Sequence, residues 1–193
     1  MGRPRRYDEN ELLDAAQELF WTRGYDRTSV EDIAAASGVA TSSLYATHGS
    51  KRDLFLQVFR RYCAGRVDVV ADAVSDSTDD GDELLAIFLR RVVDDCVSYP
   101  DRRGCLMLTS LTELRERFPE VVEISTVTIA AMEEAVATAL AHTAHRAGRR
   151  LHARDVAARA EQAVLASQAV IHLSRLPLPR PRLLAMGEAL LRF

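Results

Sequence analysis

Hydrophobic positions recur at helical spacing along nearly the whole chain, and no strand-like alternation or internal repeat stands out. Glycine and proline residues interrupt this periodicity and divide it into segments. A first helix is predicted to end at Gly24, supported by a cap at Asp8. Further helices are predicted at about 29–36, 41–46, 51–72, 83–98, 104–118, 119–144, 154–175 and 181–191. The pattern therefore predicts an all-α fold.

Two short predicted helices meet at Gly38. Thr28 followed by Glu31 has the spacing of a capping box, which would start the first of these helices. Gly38 can end it, because glycine enters the left-handed region without steric penalty. The small Ala34 lets the second helix approach closely. This arrangement is typical of a helix-turn-helix, and the alternative is a surface turn between two helices of an ordinary bundle.

The second short helix has one apolar anchor, Leu44, and an outward face of short polar side chains. In a helix-turn-helix, the N-terminal part of the second helix reaches the base edges in the major groove. Serine and threonine discriminate bases weakly, so DNA shape would add to specificity. The residues predicted to face double-stranded DNA are Ala40, Thr41, Ser42, Ser43 and Tyr45.

Lys51, the only lysine in the chain, lies in the first turn of the next predicted helix, which Ser50 and Asp53 would cap. A cation at a helix N-terminus opposes the helix dipole and contributes little in an isolated protein. A nearby phosphate reverses that balance, because helix-start amides and an ammonium both attract anions. Lys51 therefore favours DNA binding over an ordinary bundle.

The segment from Asn10 to Tyr62 resembles the N-terminal domain of the TetR family of bacterial transcriptional repressors. His48 is a departure, because the family commonly has Phe or Tyr before this glycine, and Thr47 stands where histidine is frequent. The residues that carry the resemblance are Ala15, Ala16, Leu19, Phe20, Gly24, Tyr25, Thr28, Ser29, Val30, Ile33, Ala34, Gly38, Val39, Leu44, Tyr45, Gly49, Ser50, Lys51 and Leu54.

The resemblance implies further DNA contacts. Thr28 and Ser29 would approach phosphate, Tyr45 and Lys51 would brace the backbone, and the His48 ring would pack between the recognition helix and the next helix. Arg3, Arg5 and Arg6 form a basic arm that could enter a minor groove or hold phosphate; the alternative is a solvated terminus. Residues 1–51 carry six basic and eight acidic side chains, so any positive surface must be local.

The resemblance also implies two domains: a helix-turn-helix DNA-binding domain at 1–50 and a helical effector-binding and dimerisation domain at 51–193. The last two helices would form a four-helix bundle with a second subunit. The alternative is that their apolar faces are buried in the core of a single chain. A two-fold dimer would require a roughly palindromic operator. The predicted interface residues are Val156, Ala160, Ala163, Val164, Ser167, Val170, Ile171, Leu183, Leu184 and Leu190.

The middle helices would then enclose a pocket for a small-molecule effector, whose identity does not follow from the sequence. Apolar stripes are more often plain packing than pocket walls, so each assignment competes with a place in the core. The predicted lining residues are Phe88, Tyr99, Cys105, Met107, Thr109, Phe118, Met132, Gln168 and His172.

Cys105 follows Arg102, Arg103 and Gly104, a run that resembles a segment of one TetR subgroup. Helix-start amides and two guanidiniums would favour the thiolate, which reacts with oxidants and electrophiles. The hypothesis is a cysteine switch, and the alternative is a buried, inert thiol. His142, His145 and His152 lack a completing carboxylate or cysteine, so neither a metal nor a cofactor is predicted.

The 193-residue chain has a net charge of −3, no apolar stretch long enough for a membrane span and no secretory signal. Three cysteines, an odd number, favour reduced thiols and a cytoplasmic location. We therefore expect a TetR-type homodimeric repressor that binds a palindromic operator and is released by a small molecule or by cysteine modification. The alternatives are a helical enzyme using Cys105, for which no partners can be assigned, and an effector-free architectural DNA-binding protein.

Overall fold

The computed structural model describes residues 8–75 and 78–192, and these ranges contain nine α-helices and no strand. The predicted all-α fold is confirmed. The helices are α1 Glu9–Arg23, α2 Val30–Ser37, α3 Thr41–His48, α4 Lys51–Ala73, α5 Gly81–Ser98, α6 Leu106–Leu114, α7 Pro119–Arg146, α8 Ala153–Leu173 and α9 Arg180–Leu190.

Helix α6 is shorter than predicted at both ends. It begins after Gly104, whose φ of 70° lies in the left-handed region. It ends at Leu114, where the carbonyl accepts hydrogen bonds from the backbone N–H groups of Arg117 and Phe118 in a turn. Pro119 disfavours helical backbone at the residue before it and is itself tolerated in a first helical turn. The predicted segment 104–118 therefore becomes a short helix followed by a turn, and α7 begins at Pro119, where its start was predicted.

The chain forms two compact units. The first comprises the residues up to 62 together with 106–122, and the second comprises 63–105 together with 123–193. Helices α4 and α7 each contribute residues to both units. The domain boundary after residue 50 stays a prediction.

The first unit is built around a cluster of aromatic rings. The Phe55 ring lies edge-on to Phe20 at 5.2 Å and to Tyr25 at 5.1 Å between centroids, and Phe118 meets Tyr25 at 5.0 Å. Such edge-to-face pairs add to the stabilisation from burial itself. Phe118, predicted as a wall of the effector pocket, instead packs in this cluster because the turn after α6 brings it there.

The second unit contains close packing among α5, α8 and α9. Gly187 of α9 permits the approach, since a Cβ there would lie 3.0 Å from a Val170 methyl and 3.1 Å from one of Leu89. Each distance is shorter than an ordinary carbon–carbon contact. Small residues on α8 and α9 therefore serve packing within one chain.

This packing corrects the predicted dimer interface. Eight of its residues are buried in the chain's own core: Val156, Ala160, Ala163, Val164, Ser167, Val170, Ile171 and Leu183. Of the other two, Leu184 is half-buried and Leu190 is exposed. The broad apolar stripe of α8 faces α5 and α9, so a second subunit would have to meet a different face. On that face Leu165 is 69% exposed.

Within the described ranges, α7 alone is long and apolar enough to cross a membrane by length and composition. A core helix of a soluble protein can have the same properties. Met132, Val136 and Leu140 of α7 are buried in the second unit.

Candidate nucleic-acid interface

Helix α2 starts with a capping box one residue later than predicted. The Ser29 Oγ accepts a hydrogen bond from the Asp32 backbone N–H at 3.0 Å, and the Asp32 carboxylate accepts one from the Ser29 N–H at 2.8 Å. The Ser29 hydroxyl also donates to that carboxylate at 2.6 Å. These bonds lower the pKa of Asp32, with the Ser29 side chain as the largest cause. Ser29 thus fixes the start of the helix that precedes the recognition helix.

Thr28 does not have the role predicted for it. Its side chain is fully buried, and its hydroxyl donates to the backbone carbonyls of Gly24 at 2.9 Å and Leu19 at 3.2 Å. The buried hydroxyl is therefore not accessible to a phosphate group. Thr28 instead ties the start of α2 to the end of α1.

The turn between α2 and α3 forms at Gly38, as predicted. Gly38 has φ 69° and ψ 11°, in the left-handed region that favours glycine. Val39 is buried behind the turn, and Ala40 precedes α3 without a side-chain cap. The turn therefore separates α3 from α2, and no side-chain hydrogen bond caps the N-terminus of α3.

Helix α3 has one buried and one exposed side. Leu44 and His48 are its only buried residues, at 1% and 8% exposure. Thr41 and Ser43 are half-buried. The exposed side carries Ala40, Ser42, Tyr45, Ala46 and Thr47. Of the residues predicted to face outward, Ala40, Ser42 and Tyr45 are exposed, and Tyr45 has the largest side chain among them.

His48 is buried and makes no part of this exposed surface. Its Nδ1 lies 2.8 Å from Oε1 of Gln57 on α4, and its Nε2 is buried without a hydrogen-bond partner among the described residues. A direct DNA contact by His48 would need exposure that the ring lacks. The ring instead joins the end of α3 to α4.

Lys51 opens α4 and lies against an aromatic ring. Its Nζ is 4.2 Å from the Tyr25 ring centroid, within the range of a cation–π interaction. Burial lowers the pKa of Lys51, as does Arg117, while the Asp26 and Asp32 carboxylates raise it. The Ser50 hydroxyl and backbone N–H bond to the Asp53 carboxylate at 2.6 and 3.0 Å, which caps the same helix. The ammonium is thus held at a capped helix start.

Two arginines near Lys51 complete the local charge. Arg117, in the turn before α7, donates to both Asp26 carboxylate oxygens at 2.9 Å, and its guanidinium carbon lies 5.5 Å from the Tyr25 ring centroid. Arg52 donates to Glu120 at 2.6 Å. Sequence reasoning missed Arg117, because 91 positions separate it from its partner Asp26. No local pattern signals such a pair.

The structure does not bring all the residues of the other predicted sites together. Arg3, Arg5 and Arg6 lie outside the described residues. The predicted pocket residues divide between the units: Met107, Thr109 and Phe118 belong to the first, and the others belong to the second. Phe88 and Met132 are fully buried, whereas His172 is exposed. The structure brings Gln168 near Met132, with 3.9 Å between Nε2 and the sulfur, and leaves the buried Gln168 Oε1 unpartnered among the described residues.

Two grooves in the second unit were not anticipated. One, of about 340 Å³, lies between the end of α4 and α7 and includes Glu134, His142 and Arg146. The other, of about 540 Å³, lies among α5, α8 and α9 and includes Asp82, Arg159 and Glu188. Within the ranges that the structure describes, no group of three or more His, Cys, Asp or Glu side chains is arranged to hold a metal.

The three cysteines are buried and unpaired as disulfides. Burial raises the pKa of Cys63 to about 12 and also raises that of Cys96, and the Cys105 thiol contributes to both increases. Arg102 donates to the Leu178 carbonyl at 3.0 Å, and Arg103 donates to Asp101 at 3.0 Å. The two guanidiniums expected to activate Cys105 are thus both engaged with other groups.

Helices α2 and α3 with the turn at Gly38 form a helix-turn-helix, an arrangement that many DNA-binding proteins use. Residues 12–58 match the family model described as bacterial regulatory proteins of the tetR family. The chain is 32% identical over 122 residues to YezE of Bacillus subtilis, an uncharacterised HTH-type transcriptional regulator, covering 63% of this chain and 62% of YezE. It is 31% identical over 116 residues to the HTH-type transcriptional repressor ComR of Escherichia coli, covering 58% and 54%. The matched region thus spans less than two thirds of each relative.

A solved structure resembles the chain over nearly its whole length. It is a cysteine-substituted variant of the TetR-family transcriptional regulator CifR in complex with a 26-base-pair operator duplex. Its TM-score is 0.80 at 26% identity, covering 99% of this chain and 98% of CifR. The predicted resemblance to the TetR family is confirmed: the family model matches the helix-turn-helix region, and the CifR structure shares the fold of nearly the whole chain. The relatives matched are transcriptional regulators, so the comparisons support a regulator and not an enzyme.

Proposed function

We propose that the chain is a cytoplasmic, homodimeric repressor that binds a palindromic operator and releases it in response to a small molecule or to modification of Cys105. The observation that carries the DNA-binding part is the exposed polar face of α3, backed by buried Leu44 and flanked by Lys51 at the start of α4. The CifR complex supports it, because a relative of the same fold is bound to operator DNA.

The division of labour on DNA follows from the side chains. Ser42 is exposed and uncharged, which suits a contact with a base edge. Lys51 is a cation suited to phosphate, and the exposed Tyr45 would brace the DNA backbone with it. Phosphate contacts position a protein on any duplex, and base contacts give it preference among duplexes. Ser29 and Thr41 contribute at the edges of the same surface.

The proposed dimer uses the exposed side of α8 and the end of α9. Leu165 at 69% exposure and Leu190 at 41% are large apolar side chains left in solvent by the single chain. Large apolar side chains left exposed are candidates for an interaction surface. Two-fold symmetry would present two copies of α3 to successive major grooves, which requires a palindromic site.

Release from DNA would follow from linkage. An effector that binds the DNA-incompetent conformation 100-fold more tightly shifts the equilibrium by about 2.7 kcal/mol. The buried, unpartnered Gln168 Oε1 in the second unit is a candidate acceptor for such a molecule. Cys105 offers a covalent alternative, in which an electrophile would add to the thiolate sulfur.

The DNA-binding proposal is tested by selecting duplexes from a random pool with the full-length protein and measuring affinity at low ionic strength. We expect selected sites to contain an inverted repeat and to bind one dimer or a multiple of it. If the protein binds none of the duplexes at low salt, the proposal is wrong. Selected sites without two-fold symmetry would overturn the dimer but not DNA binding.

Release is tested on the selected duplex with a library of small molecules and with N-ethylmaleimide. We expect an unmodified compound, or alkylation of Cys105, to dissociate the complex. Cys105→Ser should remove only the response to N-ethylmaleimide. If that response persists in Cys105→Ser, the cysteine mechanism is wrong and the small-molecule screen remains as the separate test.

A further inference from the structure

A hydrogen bond joins His48, the last residue of α3, to Gln57 on α4. His48 Nδ1 lies 2.8 Å from Gln57 Oε1, and Gln57 Nε2 lies 3.4 Å from the Glu9 carboxylate on α1. An ionised carboxylate can only accept, so the Gln57 amide must present its nitrogen to Glu9 and its oxygen to His48. The His48 Nδ1 therefore carries the proton and donates it.

Helix α3 has few other restraints on its orientation. It is eight residues long, only Leu44 and His48 are buried, and no side chain caps its N-terminus. Leu44 is apolar and packs without directional preference. A hydrogen bond, by contrast, weakens steeply when its angle or distance changes. The His48–Gln57 bond therefore restricts rotation of α3 about its own axis.

Stability alone does not explain an imidazole at this position. The His48 Nε2 is buried without a partner among the described residues, and an unpaired buried polar atom is destabilising. A phenyl ring would fill similar space without that cost. What histidine provides at position 48, and phenylalanine would not, is the hydrogen bond from Nδ1 to Gln57.

We propose that Gln57 is a positioning residue for DNA-sequence recognition, acting through His48 to fix the orientation of α3 without touching DNA itself. The inference rests on the proposed DNA-binding function. Base-edge hydrogen bonds by Ser42 depend on the rotation of α3, whereas phosphate attraction tolerates small rotations. Loss of the Gln57 acceptor therefore reduces discrimination more than it reduces overall affinity.

The test compares two duplexes bound by full-length protein: the best duplex selected by the wild type and a scrambled duplex of equal length and composition. Gln57→Leu is expected to weaken binding to the selected duplex about tenfold, since one buried donor loses its partner. Binding to the scrambled duplex should change by less than about twofold, because it depends on phosphate contacts. Gln17→Leu, the same replacement at another half-buried glutamine of the first unit, is the matched control and should change neither.

The double variant His48→Phe/Gln57→Leu separates positioning from a purely structural role. It removes both polar groups, so thermal stability should return to the wild-type level or above it. The ratio of selected to scrambled affinity should stay low, because no directional bond remains. Recovery of that ratio together with stability would overturn the proposal. If Gln57→Leu does not fold, Gln57→Met and the double variant provide the same comparison.

Nitrogen NMR of the imidazole gives an independent readout. The wild type should show His48 as the Nδ1–H tautomer when neutral, and Gln57→Leu should lose that preference. An unchanged tautomer, or equal weakening on both duplexes, would count against the positioning role. Wild-type protein that binds neither duplex would instead overturn the proposed function, so the two failures are distinguishable.

Discussion

The Lys51 ammonium lies 4.2 Å from the centroid of the Tyr25 ring. The ring holds the cation at the start of α4, beside helix-start amides that also attract anions. Arg117 approaches the same ring and forms a bidentate ion pair with Asp26, whereas Lys51 has no ion-pair partner among the described residues. Lys51 is thus placed to meet a phosphate.

We expect Lys51→Ala to weaken binding to all duplexes by a similar factor, because a phosphate contact carries no sequence information. The slope of log affinity against log salt should fall by about 2 for the dimer, because each of its two subunits loses one contact. Titrations at several salt concentrations measure this. Lys51→Arg keeps the charge and should keep most of the slope; an unchanged slope in Lys51→Ala would contradict the assignment.

Ser42→Ala should have a different effect from Lys51→Ala. Ser42 is exposed on α3, where a hydroxyl can hydrogen-bond a base edge. We expect the ranking of selected sequences to change, with a loss of about 1 kcal/mol per subunit, the contribution of one hydrogen bond, confined to duplexes that carry the contacted base. Repeating the selection with the variant measures this. A uniform loss over all sequences would assign Ser42 to the phosphate backbone instead.

The Ser29–Asp32 capping box predicts a dependence of stability on pH. The bonds from Ser29 hold the pKa of Asp32 below its ordinary value of 3.8, so the carboxylate stabilises the folded state above that pH. This contribution is lost as the pH falls from 3.8 through the lower folded pKa. Asp32→Asn should therefore be less stable than the wild type at pH 7, with a difference that shrinks on acidification.

Urea unfolding at pH 7 and at several acidic pH values measures that difference. Ser29→Ala removes the other half of the box and should cost about 1 kcal/mol at pH 7. Glu31→Gln is the control, because Glu31 is exposed and lies outside the observed box. A constant difference between wild type and Asp32→Asn across the pH range would show that the carboxylate charge does not act through the cap.

Local features of the fold were predictable from the sequence, because their causes are local. Gly38 and Pro119 mark boundaries through their own backbone preferences, and α4 was placed within one residue of its observed end. The cap of α2 was placed one residue early, since Thr28–Glu31 and Ser29–Asp32 have identical spacing. Only the structure shows that the Thr28 hydroxyl is directed to the carbonyls at the end of α1.

Features that depend on tertiary packing were not predictable in this way. The face of α8 that is buried is the one that contacts α5 and α9. The apolar residues from Val156 to Ile171 did not by themselves indicate which neighbour would cover them, within the chain or in a second subunit. Phe118 joins Tyr25 in the first unit through a turn that periodicity treats as helix. The Gln57 partner of His48 is nine positions away on another helix, and the departures from the family pattern, at Thr47 and His48, did not point to Gln57.

Burial gives Cys63 a clear chemical prediction. Its pKa is raised to about 12, so at pH 8 only about one thiol in ten thousand is ionised. We expect iodoacetamide to leave Cys63 unmodified in the folded protein and to modify it after denaturation, as measured by peptide mass spectrometry. Cys63→Ser should not alter release from DNA by an electrophile. Rapid native labelling of Cys63 would contradict its burial.

The exposed apolar side of α8 predicts the dimer contact. Leu165 is 69% exposed in the single chain, and burying it against a second copy would stabilise association by about 1.5–3 kcal/mol. Leu165→Glu would bring two carboxylates together near the symmetry axis, so we expect monomers in sedimentation experiments at concentrations where the wild type is dimeric. Val69→Glu, at an exposed valine of α4, is the matched control and should remain dimeric. The monomer should also bind the palindromic duplex far more weakly, because each α3 alone contacts one half-site. A Leu165→Glu protein that stays dimeric would place the interface on another surface.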